Sequence, residues 1–231
     1  MGILEQPKGA SRTLRVLARL LAYPDAELRA HLPAMREVLH AERAVDAARL
    51  AELDALAQSL ARQDALDAES NYVHLFDTGR STALHLFEHV HGDSRDRGPA
   101  MIDLAQTYEK AGLYLADGQL PDYLPVVLEF TSSQPPREAR AFLGEIAHIL
   151  NAIFGALQKR ESGYAAIFGA LLELAGERPE PVKLAPEPPL DDEWAEPVVF
   201  DGCSTKGQAR ADQAQPIHFV RKHDPRQGAR S

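Results

Sequence analysis

Asp122-Tyr123-Leu124-Pro125-Val126-Val127-Leu128-Glu129-Phe130 is the stretch that decides the architecture. Wound as a helix entered at Asp122, it spreads Tyr123, Leu124, Val127, Leu128 and Phe130 around most of its circumference. A helix that is apolar nearly all round belongs inside a protein, with other elements around it. Both flanks supply helices. Upstream, Leu14, Leu17 and Leu21 recur at helical spacing behind Ser11 as N-cap, and Tyr23-Pro24-Asp25 ends that element. Asp25 then caps a short helix to Leu32, and Pro33 opens another to about His40. Leu50, Leu53, Ala57 and Leu60 stripe a segment from Val45 to Ala61, and Leu66, Val73 and Phe76 mark the next, ending near Thr78-Gly79. Ser81 caps a short helix through His91, with Gly92 at its left-handed end. Pro99 opens a helix faced by Met101, Leu104, Tyr108 and Ala111. Downstream, Pro135-Pro136 precedes one long helix carrying Phe142, Ile146, Ile149, Ile153 and Leu157; a last helix with Tyr164, Phe168 and Leu171 stops at Gly176. No segment alternates with period two. The expected fold is all-α, a single compact multi-helix domain over residues 11–176.

The ends read differently. Residues 1–10 are expected to be a flexible N-terminus. Beyond Gly176 apolar periodicity disappears, and eight of the 16 prolines fall in the last 55 residues. Residues 177–200 are acidic and 201–231 basic, so 177–231 is expected to be a Pro-rich, largely disordered C-terminal tail, unable to bury enough apolar surface to offset its ordering entropy. Trp194, Val198, Val199 and Phe200 form one apolar island there, which could dock on the body or stay solvated. Net charge is −9, with 24 Asp+Glu against 17 Lys+Arg through Gly176. That balance argues against nucleic acid and suits a basic partner. A lone Cys203 leaves no internal disulfide and fits a reducing compartment. With no apolar leader behind a basic start and no run of ~20 apolar residues, a cytoplasmic location without membrane insertion is expected.

Polar chemistry is densest between His74 and Gly98, where four of the nine histidines lie. His85-Leu86-Phe87-Glu88-His89 matches the His-x-x-Glu-His pattern of inverted zincins. Residues four apart share a helical face, so both imidazoles could grip one zinc with Glu88 as base. Against a zinc-dependent hydrolase stand the shortness of the pattern, the lack of an assignable third ligand and the mixed α/β scaffold such enzymes use. The other reading has the histidines capping, hydrogen-bonding or meeting a partner while Leu84, Leu86, Phe87 and Val90 pack. In the charged loop Gly92–Gly98, Arg95 and Arg97 suit bidentate recognition of a carboxylate or phosphate, or simple bridges to Asp93 and Asp96. No Gly-Lys-Ser/Thr triplet is present, and Ser132-Ser133, Ser162-Gly163 and Cys203 lack the setting of a nucleophile.

Tyr72-Val73-His74-Leu75-Phe76-Asp77-Thr78-Gly79-Arg80, followed by Leu84 to Gly98, resembles the signature of NarJ-type chaperones, the molybdenum-cofactor assembly chaperones of respiratory nitrate reductase. Leu120-Pro121-Asp122-Tyr123-Leu124-Pro125 with Leu128-Glu129-Phe130 resembles that family's second block, and Tyr23-Pro24-Asp25 also fits. The resemblance runs over residues 11–175 and implies an all-helical chaperone related to the TorD and DmsD maturation proteins. It implies no catalysis, no metal and no cofactor held permanently, but assistance to molybdenum cofactor insertion into a client. That client would be the apo nitrate reductase alpha subunit, bound by its basic N-terminal segment and held for cofactor and iron–sulfur insertion before membrane assembly, with cofactor-delivery proteins as further partners. The expected client-binding residues are Tyr72, Phe76, Arg80, His85, Phe87, Glu88, His89, His91, Asp93, Arg95, Arg97, Asp122, Tyr123, Leu124, Leu128 and Glu129. An acidic helical body independently suits a basic amphipathic helix. The remaining alternative beside the hydrolase is a helical interaction module for another client.

Overall fold

The computed structural model describes residues 9–90 and 96–179. In chain order the helices are α1 (Ser11–Leu20), α2 (Ala26–Glu42), α3 (Ala47–Arg62), α4 (Ala65–Phe76), α5 (Leu86–Val90), α6 (Arg97–Lys110), α7 (Leu124–Ser133), α8 (Pro136–Glu145), α9 (Ala147–Lys159) and α10 (Ala165–Ala175), with a 3-10 turn at Arg80–Thr82 before α5. Among the described residues there is no strand, only one isolated antiparallel bridge between His85 and Tyr123. The all-α expectation therefore holds. The expectations for residues 1–8, for the tail from residue 180, and for Trp194, Cys203, His91, Gly92, Asp93 and Arg95 lie outside the described residues.

Two helices form the axis of the core. Leu124, Val127 and Leu128 of α7 are fully buried, as are Ile167, Phe168, Ala170 and Leu171 of α10. Each of these Leu, Val, Ile and Phe side chains contributes about 1.5–3 kcal/mol by leaving water. Helix α1 packs on α7 and on α2; α3, α8 and α9 pack around α10. Gly176 ends α10 in the left-handed region at φ 82°, where a glycine meets no Cβ penalty. Helix α6 is different: of its residues only Tyr108 is buried. The Tyr108 ring lies 4.7 Å from that of Phe130, and its hydroxyl donates to the Pro121 carbonyl at 2.8 Å. No single helix among the described residues is long and apolar enough to cross a membrane, although α8 and α9 together pass on length and composition.

Several local expectations are corrected. Ser11 is the first helical residue rather than the cap, and its hydroxyl donates to the Ser132 carbonyl of α7 at 2.5 Å. The two helices expected around Pro33 are one, α2, capped by Asp25 through the Leu28 N–H at 2.7 Å. A mid-helix proline costs roughly 3 kcal/mol. The burial of Leu28 and Leu32 before it and Leu39 after it outweighs that cost. On α4 the buried face is Ala68, Tyr72 and Phe76, whereas Leu66 and Val73 point outward, 76% and 39% exposed. Of the face expected on α6, Met101 and Leu104 are half-buried and Ala111 is exposed. The long helix after Pro136 is two, bent by 64° at Ile146. The bend lets Leu143 from α8 and Ile149, Leu150 and Ile153 from α9 all reach the core around α10.

Candidate functional site

Asp122 does not start α7. Tyr123 occupies the cap position of that helix without a side-chain bond, and Asp122 lies one residue earlier with no exposed surface at all. Its backbone carbonyl accepts from the Leu86 N–H at 3.0 Å, and the Leu124 N–H donates to the Leu84 carbonyl at 2.8 Å. Those two bonds hold residues 84–86 antiparallel to 122–124. The side chain of Asp122 is thereby aimed at the start of α5, where it accepts from the Phe87 N–H at 3.2 Å. A buried carboxylate needs such partners, since an unpaired one would be strongly destabilising. The carboxylate gathers more of them. His85 Nδ1 lies 3.3 Å from one oxygen, and Arg97 Nη2 lies 4.0 Å from the other and 3.8 Å from Glu88 Oε1. Arg97 thus ties the start of α6 to α5.

The hydrogen bond to Asp122 holds the His85 imidazole above its ordinary pKa, with partial burial working in the opposite direction. The His85 ring stacks at 5.2 Å and 32° on Tyr123. The Tyr123 hydroxyl is 3.4 Å from that of Tyr72, which donates to the Leu21 carbonyl at 2.7 Å. Burial pushes the Tyr72 phenol well above the ordinary tyrosine range. Around Tyr72 stand Tyr23, Phe76 and Tyr164, with ring centroids at 5.7, 4.9 and 6.1 Å. The Asp122 turn is therefore fastened on one side to α5 and α6 and on the other, through Tyr123 and Tyr72, to α4 and the end of α1.

Of the residues expected at the site, His85, Phe87, Glu88, Arg97, Asp122 and Tyr123 converge on one cluster, with Tyr72 behind it. Tyr72, Phe76, Asp122, Leu124 and Leu128 are buried. Their side chains lie in the interior behind the exposed members of the cluster. His89 is half-buried and its Nε2 donates to the Ala83 carbonyl at 2.9 Å. Arg80 is exposed on the 3-10 turn, and Glu129 is exposed on α7. Two residues outside the expected client-binding set support the site, Tyr23, which entered only with the Tyr23-Pro24-Asp25 triplet, and Arg160. Tyr23 edges onto Tyr72 and donates to Glu69 at 3.0 Å, and Arg160 Nη1 and Nη2 reach the Thr82 and Ser81 hydroxyls, each at 3.4 Å. Only the return of α1 and α9 toward residues 72–82 brings them there, and no local spacing carries that information.

The helical zinc pair is also corrected. Ser81 belongs to the 3-10 turn and α5 begins only at Leu86, so His85 precedes the helix that was to carry both imidazoles. His85 turns to Asp122 and His89 to Ala83, and among the described residues no group of three His, Cys, Asp or Glu is placed to hold a metal. The cause is Asp122, whose bonds to residues 86 and 87 hold His85 in an extended bridge.

The family described as nitrate reductase delta subunit matches residues 23–169. The chain is similar to the nitrate reductase molybdenum cofactor assembly chaperone NarJ of Escherichia coli K12, with 46% identity over 162 residues, covering 70% of this chain and 69% of the relative. It is similar also to the same organism's "Probable nitrate reductase molybdenum cofactor assembly chaperone NarW", with 42% identity over 168 residues, 71% of this chain and 68% of the relative. Among solved structures, one described as a redox enzyme maturation protein from Archaeoglobus fulgidus superposes with a TM-score of 0.50 at 20% identity, covering 77% of this chain and 96% of that one. At that identity the likeness speaks for the fold.

Proposed function

The chain belongs to the nitrate reductase delta subunit family, and from that membership we propose that it is an assembly chaperone of nitrate reductase that assists molybdenum cofactor insertion and catalyses nothing itself. Its client is the apo alpha subunit, engaged in the cytoplasm through a basic N-terminal segment and held until the molybdenum cofactor and iron–sulfur cluster are in place, before membrane assembly. The observation that carries this reading is that the matched residues 23–169 contain every member of the Asp122 cluster and the aromatic group behind it. The cluster acts as a fixed support: a buried carboxylate locks the approach of α4, α5, α6 and α7, leaving Glu88, His85 and Tyr123 partly exposed above it. An acidic body with such a support suits an amphipathic basic helix, whose apolar face supplies affinity and whose charges supply orientation.

The test is calorimetric titration of a synthetic peptide, the N-terminal segment of the nitrate reductase alpha subunit, into the full-length protein. Saturable one-to-one binding is expected. It should weaken as salt rises, because exposed charges are screened within ~8 Å at physiological ionic strength. Absence of saturable binding, or wild-type molybdenum content in nitrate reductase from cells lacking this chain, would overturn the reading.

A further inference from the structure

We propose that the outward face of α4, the line Leu66–Ser70–Val73–Asp77 with Tyr23 beside it, is where the basic amphipathic helix of the client lies. This rests on the chaperone reading above and adds the location of the contact. At 3.6 residues per turn, positions 66, 70, 73 and 77 fall within about 60° of one another, on a single face. The opposite side of α4, with Ala68, Tyr72 and Phe76, is the one that packs. Leu66 is 76% exposed, Val73 39% and Tyr23 43%. A single exposed leucine is ordinary on a protein surface. Here two apolar side chains stand in register two turns apart, and a third borders them from another helix boundary.

Charge selects the occupant. Residues 64–77 contain Asp64, Asp67, Glu69 and Asp77 and no Lys or Arg. Asp64 caps the helix through the Leu66 N–H at 2.9 Å, and Glu69, at the edge of the stripe, accepts the Tyr23 hydroxyl at 3.0 Å. Asp67 and Asp77 are exposed. A narrow apolar line rimmed by carboxylates complements a helix with apolar residues at i, i+3 or i+4, and i+7 and Lys or Arg on both flanks. A neutral or acidic partner would leave those carboxylates desolvated without compensation. The stripe also communicates with the site already described. Tyr23 meets Tyr72 edge-on at 82°, and Tyr72 reaches Tyr123 on the Asp122 turn.

The experiment is the same peptide titration, run on full-length Leu66→Lys, Val73→Lys and Asp67→Asn/Asp77→Asn variants, with Ile102→Lys on exposed α6 as control. Leu66→Lys and Val73→Lys should each weaken binding at least tenfold with unchanged helicity and melting temperature. The double Asn variant should flatten the salt dependence, and Ile102→Lys should bind as wild type. If wild type binds and Leu66→Lys binds equally well, this inference fails and the chaperone reading stands. If wild type does not bind, the chaperone reading itself fails. If Leu66→Lys instead dissolves a dimer seen by sedimentation and leaves peptide affinity intact, the occupant is a second copy and the proposal is overturned.

Discussion

The Asp122 carboxylate accepts from the backbone N–H of Phe87 at 3.2 Å, so a residue 35 positions away caps a helix to which it does not belong. The first turn of a helix has four N–H groups without intrahelical partners, and α5, at five residues, is too short to stand without outside support. Removing that oxygen strands the Phe87 N–H together with His85 and Arg97. Asp122→Ala should cost about 2–3 kcal/mol in urea unfolding, in line with charge-assisted hydrogen bonds and caps. Asp122→Asn keeps an acceptor for Phe87 but loses the charge, and should fall between. An Asp122→Ala midpoint equal to wild type would refute the trans-cap.

The His85–Asp122 contact has a signed pH dependence. The folded-state pKa of His85 is raised above the unfolded value near 6.5. Its stabilising contribution is therefore complete below about pH 6.5 and is lost as pH rises through the folded-state pKa. The melting-temperature difference between wild type and His85→Gln should be largest at low pH and shrink on the alkaline side. A difference that grows from pH 6 to pH 8.5 would reverse the assignment.

Pro33 lies inside α2, where it lacks an N–H to return to the Arg29 carbonyl. Pro33→Ala restores that bond at an exposed position and should raise stability by about 1–3 kcal/mol, read as a higher urea midpoint at unchanged slope. A destabilised variant would mean the fold depends on the local geometry proline imposes.

The Tyr164 hydroxyl is buried with no hydrogen-bond partner among the described residues, while its ring meets Phe76 at 5.1 Å. Leaving a buried donor unsatisfied costs about 1–3 kcal/mol. Tyr164→Phe keeps the ring and removes the penalty, so melting should rise by roughly 2–4 °C for a gain of about 1 kcal/mol. A lower melting temperature would show that the hydroxyl is satisfied.

How far the sequence could be read depends on whether a feature is local. The central helix at 124–133 was legible because apolarity on all sides of a helix admits few other readings, and Gly176 because a left-handed end calls for glycine. Ser11 and Asp122 look like caps in sequence, but each serves a distant partner, Ser132 and Phe87, and nothing nearby discloses that choice. On α4 both Leu66–Val73 and Ala68–Tyr72–Phe76 have helical spacing; the core accepts the second because Tyr72 finds the Leu21 carbonyl and the Tyr164 ring. The bend at Ile146 answers to α10, which lies beyond it in the chain. At the site, the density of polar residue types around 85–97 was legible, whereas the organising role of Asp122 depends on the pairing of 84–86 with 122–124.

Of the described residues of helix α6 only Tyr108 is buried, and Arg97 at its start pairs with Glu88 and Asp122. A segment attached by one buried aromatic and one paired arginine can leave the body and return at a free energy far below that of global unfolding. Its amides should trade hydrogen for deuterium long before those of α7 and α10, as a separate cooperative unit. Because Arg97 at its start and the Pro121 carbonyl beyond its end both lead to Asp122, each opening of α6 would loosen the support beneath His85 and Tyr123. The protein would thus hold the Asp122 support at two levels of rigidity, with Tyr108 and Arg97 together as the latch between them.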